Sequence, residues 1–428
     1  MEVRKIGNKE FLVFRLEYKH YSKIHLHREG KYKFTFGNLA HSTYLKNNPN
    51  TGILILEEGE VDDLQRRPLL VEIDKYRNEH KLSNLVYILY QGTGQDSYMN
   101  FYLNSVKPYV TFIRSQSAMY NFVMNWSNVH SGIEDPHLLI TELYSSFFQF
   151  TSKSIDKSFV LLGGKSRAAR LMFLDKVLEH NLDKDSYMSF HNEYLKLDHD
   201  LVQKYIDGGM TYRQVIANHH SKSEVEYLGS KGILLSNKEI TTIKEIHSKL
   251  PIFNLPRKTD DYYYDPYMII PDPDLYKRIF VDIVLETFHF RGIVKDPLFK
   301  NINFFTEKVA KPLLAFRPFM VLSNKHYLRD LKTEFGIKTF DKYWDESYDE
   351  VDTAQKAINI VIENMRYINS KTKPQLAEMI YEMKPILTHN NRVMREYFLG
   401  EPNWVKVMNK YVEGKGVSWK GTQTINTI

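Results

Sequence analysis

Three adjacent residues, Thr306-Glu307-Lys308, have the side-chain types and spacing that an anion site needs. Thr306 is a good N-cap, because its side-chain oxygen can accept a free first-turn amide. Glu307 and Lys308 then fall in the first turn of a helix. A lysine at that end opposes the helix dipole, which favours negative charge there. Its presence makes sense if the cation and the free amides share an anion, such as a phosphate. Glu307 has a second reading, as a helix-start acid paired with Lys311 four residues on. A second cluster is Gly163-Gly164-Lys165-Ser166, a tight loop after the apolar run from Ser158 to Leu162. The wording is close to a P-loop, but the first glycine of that motif is missing at the required spacing. Arg167 and Arg170 follow it, either as further cations for an anion or as a solvated helix face.

These residues need a scaffold of strands and helices. Around the first cluster the pattern predicts a βαβα unit: a strand in the Phe304 region, a helix over 307–315, a strand over 319–322 and a helix from Tyr327 to Phe335. Gly336 stands where a C′ glycine stops a helix. Arg317-Pro318 breaks the preceding helix, and Phe319 to Leu322 suits a buried parallel strand. Around the second cluster, strand, glycine loop and a helix from Arg167 to His180 open a doubly wound domain. Earlier in the chain, Phe11–Leu16, Gly52–Leu56, Leu85–Tyr90 and Tyr109–Ile113 are strand candidates. Helical spacing runs from Leu69 to His80 and from Ser117 to Trp126. Glu193 to Gly208, Ser236 to Leu250, and the stretches opened by Pro374 and running from Asn390 to Phe398 also read as helical, and Asp260 to Tyr267 as an aromatic loop. Strands alternating with helices predict parallel sheets covered on both faces. The fold class expected is α/β with two Rossmann-like, doubly wound domains. Residues 1–150 form the first and 158–390 the second, with the polar stretch Thr151 to Lys157 as linker and 391–428 as a final helix and polar tail.

A resemblance runs through the same residues. Thr306-Glu307-Lys308, followed by a helix and a proline-led apolar strand, resembles the donor-site motif of fucosyltransferase-type glycosyltransferases of the GT-B fold. Phe280 to Thr287 precedes the motif as similar segments do in that family. Phe335 to Asp349 is similar to a segment of phage-encoded glycosyltransferase-like proteins. The resemblance covers 276–352 well, 159–191 less well, and none of the first 150 residues. It implies two domains facing a cleft, with the final helix returning to the first of them. It also implies a UDP- or GDP-linked nucleotide-sugar donor and no metal. Glu307 would hold the ribose, and Lys308 the phosphates, helped by Gly164, Lys165, Arg167 and Arg170. The base that deprotonates the acceptor would come from the first domain. Glu58, Asp62, Asp63 and Asp96 lie in loops at predicted strand ends, and His25, His27 and His41 are alternatives. The acceptor implied is a hydroxymethylated pyrimidine in phage DNA or a saccharide. Two other classes stay open: a non-enzymatic nucleic-acid-binding or virion-associated protein, and a P-loop hydrolase that would depend on Lys165.

Bulk properties narrow these classes. At 428 residues the chain exceeds one usual domain. With 43% hydrophobic residues it can build real cores. It has no cysteine, which excludes disulfides, thiolate zinc sites and cysteine nucleophiles. That fits a reducing compartment, so a cytoplasmic location (that of the host, for a phage protein) is expected. Met1 to Glu10 lacks the apolar core of a secretory signal, and no apolar run reaches the ~20 residues of a membrane helix. A net charge of +6 permits an anionic partner. Asp345, Glu346 and Asp349 form an acidic cluster read as turn and helix-start residues.

Overall fold

A computed structural model describes residues 2–16, 39–57, 73–91, 109–115, 155–164, 167–190, 233–255, 273–286, 305–400, 403–414 and 418–420. Single residues of 138–145 and 289–303 are also described. The protein is α/β, with two mixed sheets in two compact units. Unit 1 comprises 1–121 and 401–428, and unit 2 comprises 122–400. The sequence placed these boundaries near 150 and 390. The first strand of unit 2 begins at Lys157, inside the stretch read as a linker.

Unit 1 is built on β1 (Glu2–Ile6), β2 (Lys9–Leu16), β3 (Gly52–Glu57), β4 (Val86–Gln91) and β5 (Val110–Ser115). Strands β2 to β5 are parallel neighbours in chain order, and β1 pairs antiparallel with β2. Their side chains alternate between faces, as the two-residue period of a strand requires. Ile53, Ile55, Val86 and Ile88 pack on one face, with Leu45 of helix α1 (Leu39–Asn47) and with Ile73 and Tyr76. Leu54, Leu56, Tyr87 and Leu89 pack on the other. That second face is covered by Trp404 and Met408, which come from the far end of the chain.

Unit 2 holds a five-stranded sheet. Its strands are β6 (Lys157–Gly164), β7 (Ser186–Phe190), β8 (Ile252–Phe253), β9 (Ile279–Leu285) and β10 (Phe319–Leu322), in the order β10-β9-β6-β7-β8. The first two, β9 and β10 are parallel, and β8 is antiparallel. All seven residues of β9 are buried, as expected of a central parallel strand. From β6 the chain steps through helix α2 (Ala168–Glu179) to β7 on one side. It later returns to β9 on the other side, and continues through helix α3 (Glu307–Leu314) to β10. The direction of winding reverses between β6 and β9. With right-handed crossovers, such a reversal puts successive helices on opposite faces and opens a crevice beyond the carboxyl ends of those two strands.

Helix α4 (Tyr327–Phe335) follows β10 over the range the sequence predicts, and Gly336 closes it in the left-handed region at φ 73°. Helices α5 (Ala354–Asn369) and α6 (Lys373–Leu399) complete the unit. The expected strand at the Phe304 region is not found at Asn303, Phe305 or Thr306, where the backbone is irregular. Among the described residues, the last strand before α3 is β9, which ends at Leu285. Asn391 Nδ2 donates to the Leu314 carbonyl at 2.8 Å and so ties α6 to the end of α3.

The chain re-enters unit 1 after Gly400 as helix α7 (Asn403–Val412) and strand β11 (Ser418–Lys420). The last strand pairs antiparallel with β5 and extends the first sheet to six strands.

Candidate anion site at the switch point of unit 2

The ends of β6 and β9 bring Thr306-Glu307-Lys308 near Gly163 and Gly164, the described part of the second cluster. At the end of β6 the ladder slips by one residue between Leu162 and Gly164. Gly164 takes φ 55°, a left-handed conformation that costs other residues about 1–2 kcal/mol. Gly163 lies against the ring of Phe190, which is fully buried, and a Cβ there would run into that ring. Gly163→Ala is therefore expected to cost about 1–3 kcal/mol through overpacking, seen as a lower thermal midpoint. Beyond the loop, Arg167 is the N-cap of α2 and makes no side-chain cap bond to that helix.

Arg170 is placed otherwise than the sequence suggests. It is 5% exposed, and its guanidinium turns inward. Nη1 donates to the Gly163 carbonyl at 2.5 Å, and Nη2 to the carbonyls of Leu285 and Glu286 at 2.8 and 3.0 Å. It straps the ends of β6 and β9 together, because the last carbonyls of a buried strand need donors.

The start of α3 stands over the same strand ends. Thr306 caps it, accepting from the Lys308 amide at 3.3 Å. The side chains of Glu307 and Lys308 are 12% and 19% exposed, and Nζ of Lys308 donates to Oε1 of Glu307 at 2.8 Å. Burial pushes the Glu307 carboxyl up, but Lys308 and Lys311 outweigh it and hold the group below its ordinary value. Lys311, the alternative partner, is 3% exposed, and its charge also favours the ionised form of buried Asp282.

The residue that organises this region is one the sequence reading passed over. Glu286, the first residue after β9, is 1% exposed. Its Oε1 accepts from Tyr327 Oη at 2.8 Å and from the Thr306 amide at 3.3 Å. Its Oε2 lies 2.9 Å from Thr306 Oγ1. Burial raises its pKa, opposed by Lys308. A lone carboxylate closing an apolar run was the only signal available in the sequence.

Two further devices stiffen the surroundings. Arg291 is 2% exposed and donates to the carbonyls of Ser323, Tyr348 and Val351. Asp349 accepts from the Leu328 and Arg329 amides at 3.0 and 3.2 Å, supplying the cap that His326 does not give α4. Glu346 accepts from the Phe340 amide and Thr339, and Asp345 from the Ser347 amide. The acidic cluster thus consists of turn and helix-start caps. Among the described residues no group of three or more His, Asp or Glu could hold a metal ion.

Lys165 and the base candidates Glu58, Asp62, Asp63, Asp96, His25 and His27 lie outside the described residues, as do Glu193 to Gly208, Ser117 to Trp126 and the Asp260 to Tyr267 segment. His41 is described. It sits on α1 with its ring 5.4 Å from that of Phe14, and burial lowers its pKa. No helix among the described residues is long and apolar enough to cross a membrane. No known family model matches the chain, and no curated protein matches it.

Proposed function

We propose that the protein is a GT-B glycosyltransferase that takes a sugar from a UDP- or GDP-linked donor held by unit 2 and passes it to an acceptor hydroxyl engaged by unit 1. The observation that carries this reading is the Glu307–Lys308 pair, partly open to solvent at a helix N-terminus beyond the switch point. A carboxylate can accept from both hydroxyls of a ribose, and the adjacent ammonium can meet the diphosphate. Negative charge grows on that diphosphate as the glycosidic bond breaks, so a fixed cation favours the transition state over the ground state. Without ligand the two side chains pair with each other. The two side chains are only 12% and 19% exposed, so the cost of desolvating them offsets much of their attraction. Gly164 adds no side chain at the end of β6, and Arg167 stands at the start of the neighbouring helix.

The proposed acceptor is a hydroxymethylated pyrimidine in DNA. Unit 1 carries 21 Lys and Arg against 15 Asp and Glu, whereas unit 2 has 37 of each. The whole net charge of +6 therefore resides on unit 1. A cationic unit attracts the phosphate backbone whatever its sequence, and a flipped base exposes its hydroxymethyl group. Asp62, Asp63 and Asp96, all in unit 1, are the proposed candidates for the base. The same charge asymmetry favours a second reading, a nucleic-acid-binding protein without transferase activity.

Thermal unfolding against a panel of sugar nucleotides separates the two. A donor at ~100 times its Kd should add about 2.7 kcal/mol, a rise of roughly 5–10 °C for a unit of this size. The rise should vanish in Glu307→Ala and Lys308→Ala. No rise with any nucleotide sugar would remove the donor site and leave the binding protein. If a donor binds, transfer of labelled sugar to hydroxymethylated DNA rather than to glycans is expected; transfer to glycans alone would overturn the acceptor.

A further inference from the structure

Four described residues other than glycine take a positive φ: Lys81, Asn181, Phe316 and His326. The first three follow helices. Lys81 ends the helix over 73–80, and Asn181 and Phe316 come directly after the C-caps of α2 and α3. A left-handed residue is ordinary there, because it closes the last turn. His326 alone of the four stands at a helix start, where an N-cap residue is normally extended and lends its side chain to a free amide. It does neither: φ is 67°, and its side chain makes no cap bond. Asp349 supplies that cap, and the Asp349 carbonyl accepts from the His326 amide at 2.9 Å. Glycine would suit this backbone better, and α4 takes no cap bond from the imidazole. Residues held in such a conformation by their surroundings cluster at ligand sites.

The loop that carries His326 lies at the carboxyl end of β10 and touches the start of α3. Asn303, three residues ahead of Thr306, donates from Nδ2 to the Lys325 carbonyl at 3.1 Å. Tyr327 donates to Glu286, whose carboxylate also accepts from the Thr306 amide. Lys325 and His326 are partly exposed, and each faces an acid of one segment. Lys325 Nζ lies 2.8 Å from Asp352 Oδ1, and His326 Nδ1 lies 3.0 Å from Glu350 Oε2. The second contact lacks hydrogen-bond geometry, so Nδ1 is buried without a hydrogen-bond partner. Both acids are mostly exposed. Ion pairs this open contribute little, so an incoming oxyanion can take the place of either carboxylate. Asp349, which stays, is occupied by the α4 amides and faces the charge of Arg291.

We propose that the Lys325-His326 loop holds the second phosphate of a nucleoside diphosphate whose first phosphate meets Lys308, with Glu350 and Asp352 filling that place until the ligand arrives. This rests on the reading of Lys308 as a phosphate contact, and it adds the residues that tell a diphosphate from a monophosphate. An ammonium and an imidazole N–H can each donate to one phosphate group, a charge-assisted pairing. The exchange is one of non-covalent partners only.

The test is calorimetric titration of the full chain with UDP and UMP, and with GDP and GMP, alongside thermal unfolding of each variant. Wild type is expected to bind the diphosphate at least about tenfold more tightly than the monophosphate, as one or two charge-assisted hydrogen bonds would give. In Lys325→Ala and in His326→Gly that ratio should fall toward one, with monophosphate affinity unchanged. His326→Gly should also unfold at the wild-type midpoint or above it, because glycine relaxes the left-handed backbone. Weaker binding by a protein no less stable is a result that a purely structural histidine would not produce. Glu350→Gln combined with Asp352→Asn should raise affinity for the diphosphate alone. A ratio unchanged in Lys325→Ala and His326→Gly, while Lys308→Ala still abolishes binding, overturns this inference and leaves the donor site standing. If neither diphosphate binds wild type, both readings fall.

Discussion

Replacing Arg291 by methionine is expected to lower the stability of residues 122–400 by about 3–5 kcal/mol. The side chain is 2% exposed, and its guanidinium donates to Ser323 at 2.8 and 2.5 Å, Tyr348 at 2.8 Å and Val351 at 2.9 Å. Those carbonyls belong to the residue after β10 and to the segment that leads into α5, which have no ladder to join. Methionine keeps the length and removes every donor, so two buried acceptors and one part-buried acceptor are stranded, the buried ones at about 1–3 kcal/mol each. Part of that is offset, because burying the charge is itself unfavourable: burial pulls the Arg291 pKa down to about 10. Lysine is expected to rescue little, since a point charge cannot reproduce a planar fork. Urea denaturation monitored by exchange of the β9 and β10 amides is the measurement, and an unchanged midpoint would show that water serves these carbonyls equally well.

The second large effect belongs to unit 1. Trp404→Ala is expected to cost about 3–5 kcal/mol, as large-to-small changes in a packed core do. Trp404 is 7% exposed and packs in one cluster with Ile6, Phe11, Val13, Leu54, Tyr87 and Ile113. The loss should appear as weaker hydrogen-exchange protection in β2 to β4, with β6, β9 and β10 unaffected. Loss of protection in both sheets alike would mean that the two units unfold as one cooperative body.

What was legible in the sequence was what local chemistry decides. Helix α4 was read from end to end, because its apolar spacing and the glycine that stops it lie within ten residues. The strands β2 to β5 were found as short apolar runs between turn signals. Three features were not legible, for related reasons. Glu286 gains its meaning from Thr306 and Tyr327, twenty and forty-one residues later, so its burial is a tertiary fact. The cap of α4 comes from Asp349, beyond the helix it serves. Pro312 lies inside the helix read over 307–315, whereas Pro385 falls between the stretch opened by Pro374 and that running from Asn390, which were read separately and form one helix. In α6 the helix continues through Pro385 and reaches Leu399, packed against α3. Glu307 pairs with Lys308 beside it, where the sequence had offered it a ribose or Lys311, and Arg170 went to the backbone.

The division of unit 1 across the sequence has a consequence for how the protein is made. Residues 1–121 leave the ribosome first, but the helix and strand that finish their sheet are encoded after residue 400. At 5–20 residues per second the intervening unit takes on the order of 15–60 s to synthesise. For that interval the face formed by Phe11, Val13, Leu54, Leu56 and Leu89 lacks the cover that Trp404 and Met408 give it. Unit 2, continuous in sequence, can close in the meantime. The nascent protein therefore passes through a stage with one finished unit and one half-covered sheet, and at that stage a chaperone holding the open face would stand in for α7.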